Sequence, residues 1–384
     1  MKDRPALSRF STKFPLQSLS MSPDRRFVVL GGRDVLQLVK IRQGDASSLS
    51  PVGGKRGSGA LGRNRRVFSR ADTIEVQEAL AGLTTTYPGM DDTYNQTSKK
   101  FTTTTTLTPT AATPSKFTFD FVGHRHLKTG SMNLNHNGND VAFHPTRSDV
   151  VATGSTKGAV VCWNLELTGK KAAQSVSTEH TRTVTRVDWH PTTPWILASG
   201  SIDGTVKIWD TRRNGKKFKS STNLKPKSSA VRDAMYNPHD GNVVACAFDN
   251  GQVQLWDVRQ TRSCVKKFAA HHGYVLTLDW HPLEPRVLAT GGRDGQIKIW
   301  NTGGGDGGGG ASGVKGSSKS GHIQVIQTIA SVACVKWRSA RHPQQLASSS
   351  TVVDPTINVW DVRHPFVPIA SFDGHRSAVT DLCW

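Results

Sequence analysis

Residues 179–210 read EHTRTVTRVDWHPTTPWILASGSIDGTVKIWD, and residues 270–301 read AHHGYVLTLDWHPLEPRVLATGGRDGQIKIWN. These are two versions of one unit. Each opens near a His, runs through β-branched residues to Trp-His-Pro, then through a second apolar run to Ser/Thr-Gly. An Asp-Gly turn follows, and a third run closes on Trp. Short runs of Val, Ile, Thr and Trp bounded by Gly, Pro and Asp read as strands. Self-similarity with about 40–45 residues and four strands per unit is the pattern of a β-propeller.

The same ruler extends in both directions. Phe143 and Trp163, Trp189 and Trp209, Tyr236 and Trp256, and Trp280 and Trp300 each stand 20 residues apart. Trp337 and Trp360 stand 23 apart, with a short insertion around Val352–Pro355. One blade cannot bury both its faces, so blades must stack radially and the ring must close to hide its edges.

These spacings predict an all-β, seven-bladed propeller truncated after the first strand of its seventh blade. Residues 1–43 hold an N-terminal strand and a weak first blade, with Ser8–Phe14 as a strand that locks the ring. Residues 44–116, rich in Gly, Arg and Thr, read as a disordered insertion, with one short amphipathic helix over 71–83. Residues 117–301 carry blades two to five, the second over 117–171. Residues 302–320 form a flexible Gly/Ser insertion, and 321–384 hold blade six and the start of blade seven, Gly374-His375 and Ala378–Trp384.

The units resemble the blades of the WD-repeat superfamily. The resemblance implies a hydrogen-bonded tetrad of His180, Ser199, Asp203 and Trp209, repeated as His271, Thr290, Asp294 and Trp300. Blade two has Lys157 at the turn Asp. Blade four is expected to keep Asp249 and Trp256, with Lys227 in place of His and Ala245 in place of Ser. A His, Ser and Asp together suggest a nucleophilic triad, but a catalytic set has no reason to recur blade after blade. Mutual satisfaction of buried polar groups explains the repetition better.

Composition narrows the function classes. Lys and Arg number 49 against 29 Asp and Glu, a net charge of +20. Much of the excess sits in two clusters, Lys55–Arg70 and Arg212–Lys227, which suit nucleic acid, phospholipid or acidic protein but lack interleaved aromatics for base stacking. Five cysteines show no disulfide or zinc spacing. No signal peptide and no apolar run of transmembrane length is present, so a soluble intracellular protein is expected. Neither paired carboxylates, metal-spaced ligands nor a P-loop suggests an enzyme; no cofactor, metal or small-molecule substrate is expected.

A narrower resemblance rests on TEHTRTVTRVDWHP (178–191), SSAVRDAMYNP (228–238), FDNGQVQLWDVR (248–259), GGRDGQIKIW (291–300), QTIASVACVKWR (327–338) and VDPTINVWDVRHPFVPIASFDGHR (353–376). These stretches are similar to the WD-repeat-protein-twenty-four type of subunit of the GATOR/SEA complex. The resemblance implies a scaffold in amino-acid signalling to TORC1, acting positively, with a bearing on autophagy. It implies partners among other subunits of a multi-protein complex. It also implies a cytoplasmic location, peripheral at the lysosome or vacuole membrane through those partners.

Propellers bind partners through loops on a rigid frame. Arg182, Arg232, Asn250, Tyr274 and Arg293 are the candidate binding-face residues, because Arg and aromatic side chains anchor interfaces. Two alternatives remain. The boxes Trp-Asp-x-Arg at Asp210/Arg212, Asp257/Arg259 and Asp361/Arg363 recur in substrate receptors of cullin-4 ubiquitin ligases. The basic charge would suit a nucleic-acid or chromatin-associated protein, whose affinity would fall steeply with salt.

Overall fold

The computed structural model describes residues 16–32, 35–43, 74–76, 83–86, 117–121, 127–128, 138–167, 171–212, 218–303, 322–339, 341–351, 353–375 and 377–384. The ring-locking segment Ser8–Phe14 and nearly all of both insertions lie outside these residues.

The alternation of apolar and polar residues in the repeat produces antiparallel four-stranded sheets whose strands follow one another in space as in sequence. Blade three is Val184–Trp189, Ile196–Ser201, Val206–Asp210 and Ser220–Leu224. Blade four runs from Val231–Tyr236 to Lys266–Ala269, blade five from Val275–Trp280 to His322–Gln327, and blade six from Val332–Trp337 to Ala370–Phe372. Blade two runs from Gly138–Phe143 to Ala173–Ser177. In blades two to five the turn from second to third strand needs a left-handed residue, and Gly158, Gly204, Gly251 and Gly295 supply it with φ of 82°, 80°, 82° and 71°.

Apolar residues collect between blades rather than within them. Val206, Ile208 and Leu224 of blade three pack against Val231, Tyr236 and Phe248 of blade four. Ala245, Val253 and Leu255 of blade four meet Val275, Leu278 and Trp280 of blade five, and the pattern continues around the ring. Wholly buried side chains such as Trp209, Phe248 and Leu278 each contribute about 1.5–3 kcal/mol of transfer free energy or more.

Innermost strands are also stitched by carboxylates. Asp140 Oδ2 accepts the Val187 N–H at 2.7 Å, Asp188 Oδ2 that of Tyr236 at 2.8 Å, Asp233 Oδ2 that of Leu278 at 2.8 Å, and Asp279 Oδ2 that of Trp337 at 2.6 Å.

The seven-bladed expectation is corrected. Among the described residues the chain forms six blades, and no truncated seventh blade is present. Val379–Cys383, expected to be its open first strand, belongs to a two-stranded sheet with Leu83–Thr86, in register Val379↔Thr86 to Cys383↔Leu83. That strand sits between blades six and one: Asp381 Oδ2 accepts the Leu19 N–H at 3.0 Å, and the Ser349 hydroxyl donates to Val379 O at 3.1 Å. Its pairing edge is therefore occupied.

Leu83–Thr86 comes from the stretch read as a disordered insertion, as does the strand Ile74–Val76, which stands where the short helix was expected. Ile74–Val76 pairs with Phe117–Phe121, and this last strand, assigned by sequence to blade two, is the fourth strand of blade one. A three-residue strand borrowed by a neighbouring blade leaves almost no periodic signal.

Candidate protein-interaction face

Each complete tetrad links the loop before a first strand to the second and third strands. His180 Nδ1 lies 2.9 Å from Asp203 Oδ2 and its Nε2 lies 2.8 Å from Ser199 Oγ, while the Trp209 indole N–H donates to the same Ser199 oxygen at 2.8 Å. Blade five repeats this with His271 to Asp294 at 2.9 Å, His271 to Thr290 at 2.7 Å, and Trp300 to Thr290 at 2.9 Å. A carboxylate only accepts, so Nδ1 carries a proton, and the hydroxyl lies between the indole and Nε2. Burial acts to raise the Asp203 carboxyl, but hydrogen bonds from His180 and Thr205 outweigh it and hold it far below its ordinary value. Asp294 is lowered in the same way by His271. Ser199 is 1% exposed and sealed beside Trp209, so it has no path to a substrate.

Other blades keep fragments. The Trp163 indole donates to Thr153 and that of Trp360 to Ser348, both at 2.8 Å. Blade four departs further, and the sequence reading of it was one residue out of register. Strand pairing sets Trp256 opposite Val244, as Trp209 stands opposite Leu197. The tetrad hydroxyl position is therefore Cys246, not Ala245, and the turn Asp position is Asn250, not Asp249. Asn250 Oδ1 accepts the Gln252 N–H at 3.2 Å, as Asp203 Oδ1 accepts that of Thr205 at 2.9 Å. The Trp256 indole turns instead to Gln254 Oε1 at 3.1 Å.

Asp249 is thereby released from the tetrad and serves another purpose. Its carboxylate takes the Arg232 guanidinium through Nε, and through Nη2 at 3.0 Å. Arg232 Cζ lies 5.1 Å from the Tyr274 ring centroid, and Arg293 Cζ lies 5.2 Å from the same ring. Three of the five candidate residues, from blades four and five, thus meet at one aromatic ring. Asn250 stands beside them, its side-chain N–H donating to Ser228 Oγ at 3.0 Å. Arg182 does not join them. It is exposed on the blade-three loop, where its carbonyl accepts the Ser201 hydroxyl at 3.2 Å.

Residues 123–336 match the model of the nucleolar protein 10-like, N-terminal domain family, a β-propeller. The chain belongs to this propeller family. It is similar to the protein named GATOR2 complex protein WDR24 from Homo sapiens, at 40% identity over 69% of this chain and 31% of that protein. The protein of the same name from Drosophila melanogaster is 39% identical over 67% of this chain and 31% of its own length. That from Dictyostelium discoideum is 38% identical over 67% and 24%. The chain thus spans about a third or less of these relatives. A chain in the crystal structure of the mitotic checkpoint complex shares the fold, with a TM-score of 0.53 at 19% identity, covering 65% of this chain and 68% of that one.

The remaining candidates of this family member lie at the opposite ends of the third strands from the Arg232 cluster. In each Trp-Asp-x-Arg box the guanidinium folds back on its own Asp, with Nη2–Oδ2 distances of 2.7 Å for Arg212–Asp210 and 2.6 Å for both Arg259–Asp257 and Arg363–Asp361. Each Arg main-chain N–H also caps that Asp, so the box forms a strand-end turn. Lys55–Arg70 and residues 213–217 of the basic clusters lie outside the described residues.

Two working sets escaped the sequence reading. His144, His190 and His281 of the His-Pro turns each accept two main-chain N–H bonds at Nδ1, and their rings meet those of Trp189, Tyr236 and Trp337 of the next blade in edge-on or tilted contacts, with centroids 4.8, 4.9 and 4.6 Å apart. The recurrent Trp/Phe/Tyr-His/Asn-Pro was the visible signal. The second set lines the centre of the ring beside a cavity of about 460 Å³. Arg186 lies between Asp140 and Asp233 at 3.6 and 3.4 Å, and Lys336 pairs with Asp279 at 3.3 Å. Burial raises Asp140 to about 6 and Asp188 to about 7, despite the attraction of Arg186. Among the described residues there is no metal-holding cluster, and no helix is long and apolar enough to cross a membrane.

Proposed function

We propose that the chain is a non-enzymatic WD-repeat scaffold subunit of a GATOR2-type complex. In that role it acts positively in amino-acid signalling to TORC1, influences autophagy, and resides at the lysosome or vacuole surface through its partners. The observation that carries this reading is 40% identity over 69% of the chain to a protein named as a GATOR2 component. Rigid blades with buried, mutually satisfied polar groups suit a subunit whose loops, not its interior, do the binding. The candidate binding face is the set of loops carrying Arg182, Arg232, Asn250, Tyr274 and Arg293.

Affinity purification of the tagged protein from its own cells tests the reading. The expected result is recovery of several other large WD-repeat subunits in fixed stoichiometry, and a blunted TORC1 response to amino acids when the gene is deleted. Recovery of a cullin-4 adaptor, or of nucleic acid released by salt, in place of such subunits would overturn it. Charge reversal of Arg182, Arg232 and Arg293 together should lower subunit recovery if this face makes the contact.

A further inference from the structure

The Arg232–Tyr274–Arg293 cluster continues into blade six. The Ser331 hydroxyl donates to Arg293 O at 2.8 Å, and Ser331 O accepts the Thr351 N–H at 3.0 Å. These bonds tie the turn bearing Arg293 to two loops that expose aliphatic side chains. Ile329, two residues before Ser331, is 87% exposed, and Val353, two residues after Thr351, is 82% exposed. Ile329 sits on a fixed knuckle: Thr328 Oγ1 lies 2.8 Å from both Gly295 O and Ala330 O, and the Thr328 N–H donates to Gly295 O at 2.9 Å. The surface therefore presents a row of hydrogen-bonded turns that carry cation, aromatic and aliphatic groups.

Charge at this row is uneven. Arg232 is already forked on Asp249. Arg293 has no ion-pair partner among the described residues, because the adjacent Asp294 is held by His271. One guanidinium fork is thus open, steadied by the Tyr274 ring. A single free fork matches the two oxygens of one carboxylate.

We propose that this row docks an extended acidic segment of a partner protein, with a Glu or Asp carboxylate on Arg293 and an aliphatic or aromatic side chain, a few residues along, against Ile329 and Val353. The inference rests on the reading of this face as the protein-binding one and deepens it by naming the partner's chemistry. Blades three and five present a complete tetrad behind their loops; blade four, lacking one, supplies the Arg232–Asp249 pair that buttresses Tyr274.

The test is selection of random dodecapeptides displayed on phage against the full chain, followed by anisotropy with the synthetic peptides recovered. Recovered peptides should be enriched in Glu or Asp together with Leu, Ile or Phe. Replacing their acids by Gln or Asn should weaken binding at least about 10-fold, one lost charged contact. R293E should weaken it at least as much, R293K about 3–5-fold because the fork is lost, and I329S about 3–10-fold for one lost apolar contact. Thermal melts should match wild type for all three. Recovery of no peptide, of peptides without acid enrichment, of binders that only a phosphoserine version retains, or of binders indifferent to R293E would overturn the proposal. Subunit recovery with the same variants separates the two readings. Peptide binding lost with complex recovery intact leaves the acidic-segment site standing and places assembly elsewhere, whereas no peptide selected, together with complex recovery that the variants leave intact, removes the face altogether.

Discussion

Blades three and four are the same backbone drawn 47 residues apart, yet they use their polar residues in opposite ways. In blade three, His180, Ser199, Asp203 and Trp209 close a buried relay. In blade four the matching positions are Lys227, Cys246, Asn250 and Trp256, and no relay forms. The Asp that sequence alignment places in the turn lies one residue earlier and faces outward to Arg232. Both blades bury their Trp and pack on the blade to either side, so apolar wedging alone suffices to shape a blade. The tetrad is an added clamp, and its absence frees loop residues to build a surface.

The contrast breaks most sharply at the turn residue. Asp203→Ala should cost about 2–3 kcal/mol, since it strands His180 and two main-chain donors, whereas Asn250→Ala should cost within about 0.5 kcal/mol at an exposed site. Urea denaturation of both variants reads this directly. Equal costs would mean that the relay contributes nothing beyond packing.

A graft is the next test. Cys246→Ser alone should cost about 1–2 kcal/mol, because it buries a hydroxyl without its His. Adding Lys227→His and Asn250→Asp should recover at least about 1 kcal/mol of that through coupling, as a mutant cycle would reveal.

Protons sharpen the comparison between the tetrads and the ring centre. Asp203 and Asp294 are lowered on folding, so they contribute stability above the ordinary carboxylate range that is lost as pH falls through their folded values. Asp140 and Asp188 are raised to about 6 and about 7, so their contribution is complete in acid and is lost as pH rises through 6 and 7. Asp188→Asn keeps an acceptor for the Tyr236 N–H and removes one titration. Unfolding free energy measured from pH 5 to 8 should then fall less steeply, by up to about 1.4 kcal/mol per pH unit. An unchanged slope would mean that Asp188 ionises normally in the folded ring.

The smallest effect is expected at the surface. Arg232→Ala should change stability by no more than about 1 kcal/mol, the usual scale of a half-exposed ion pair, while lowering partner recovery. Melting temperature and pull-down on one preparation separate the two quantities.

Much of this was legible from Trp spacing, because a buried Trp recurs on the third strand of blades two to six. The complete tetrads were legible for the same reason, since His180 and His271 keep identical distances to their partners. Register in blade four was not. Asp249 stands seven residues before Trp256 where Asp203 stands six before Trp209, and only the pairing of Trp256 opposite Val244 shows that the turn position itself is Asn250. Strand exchange was hidden too: Leu83–Thr86 is too short and too polar to announce a partner nearly 300 residues away in Val379–Cys383. The meeting of Arg232 and Arg293 at Tyr274 depends on the lateral stacking of blades, which no linear spacing encodes.

The central proposal is that partners engage the loop face centred on blades four to six, and not the strand-end boxes at the opposite ends of the third strands. Hydrogen–deuterium exchange of the intact native complex against the isolated chain addresses it in one experiment. Amides at 228–232, 249–252, 272–274, 291–295 and 328–331 should exchange more slowly in the complex, with 258–262 unchanged. Protection confined to the strand-end boxes at 210–212, 257–259 and 361–363, with the blade-four and blade-five turns unaltered, would contradict the account.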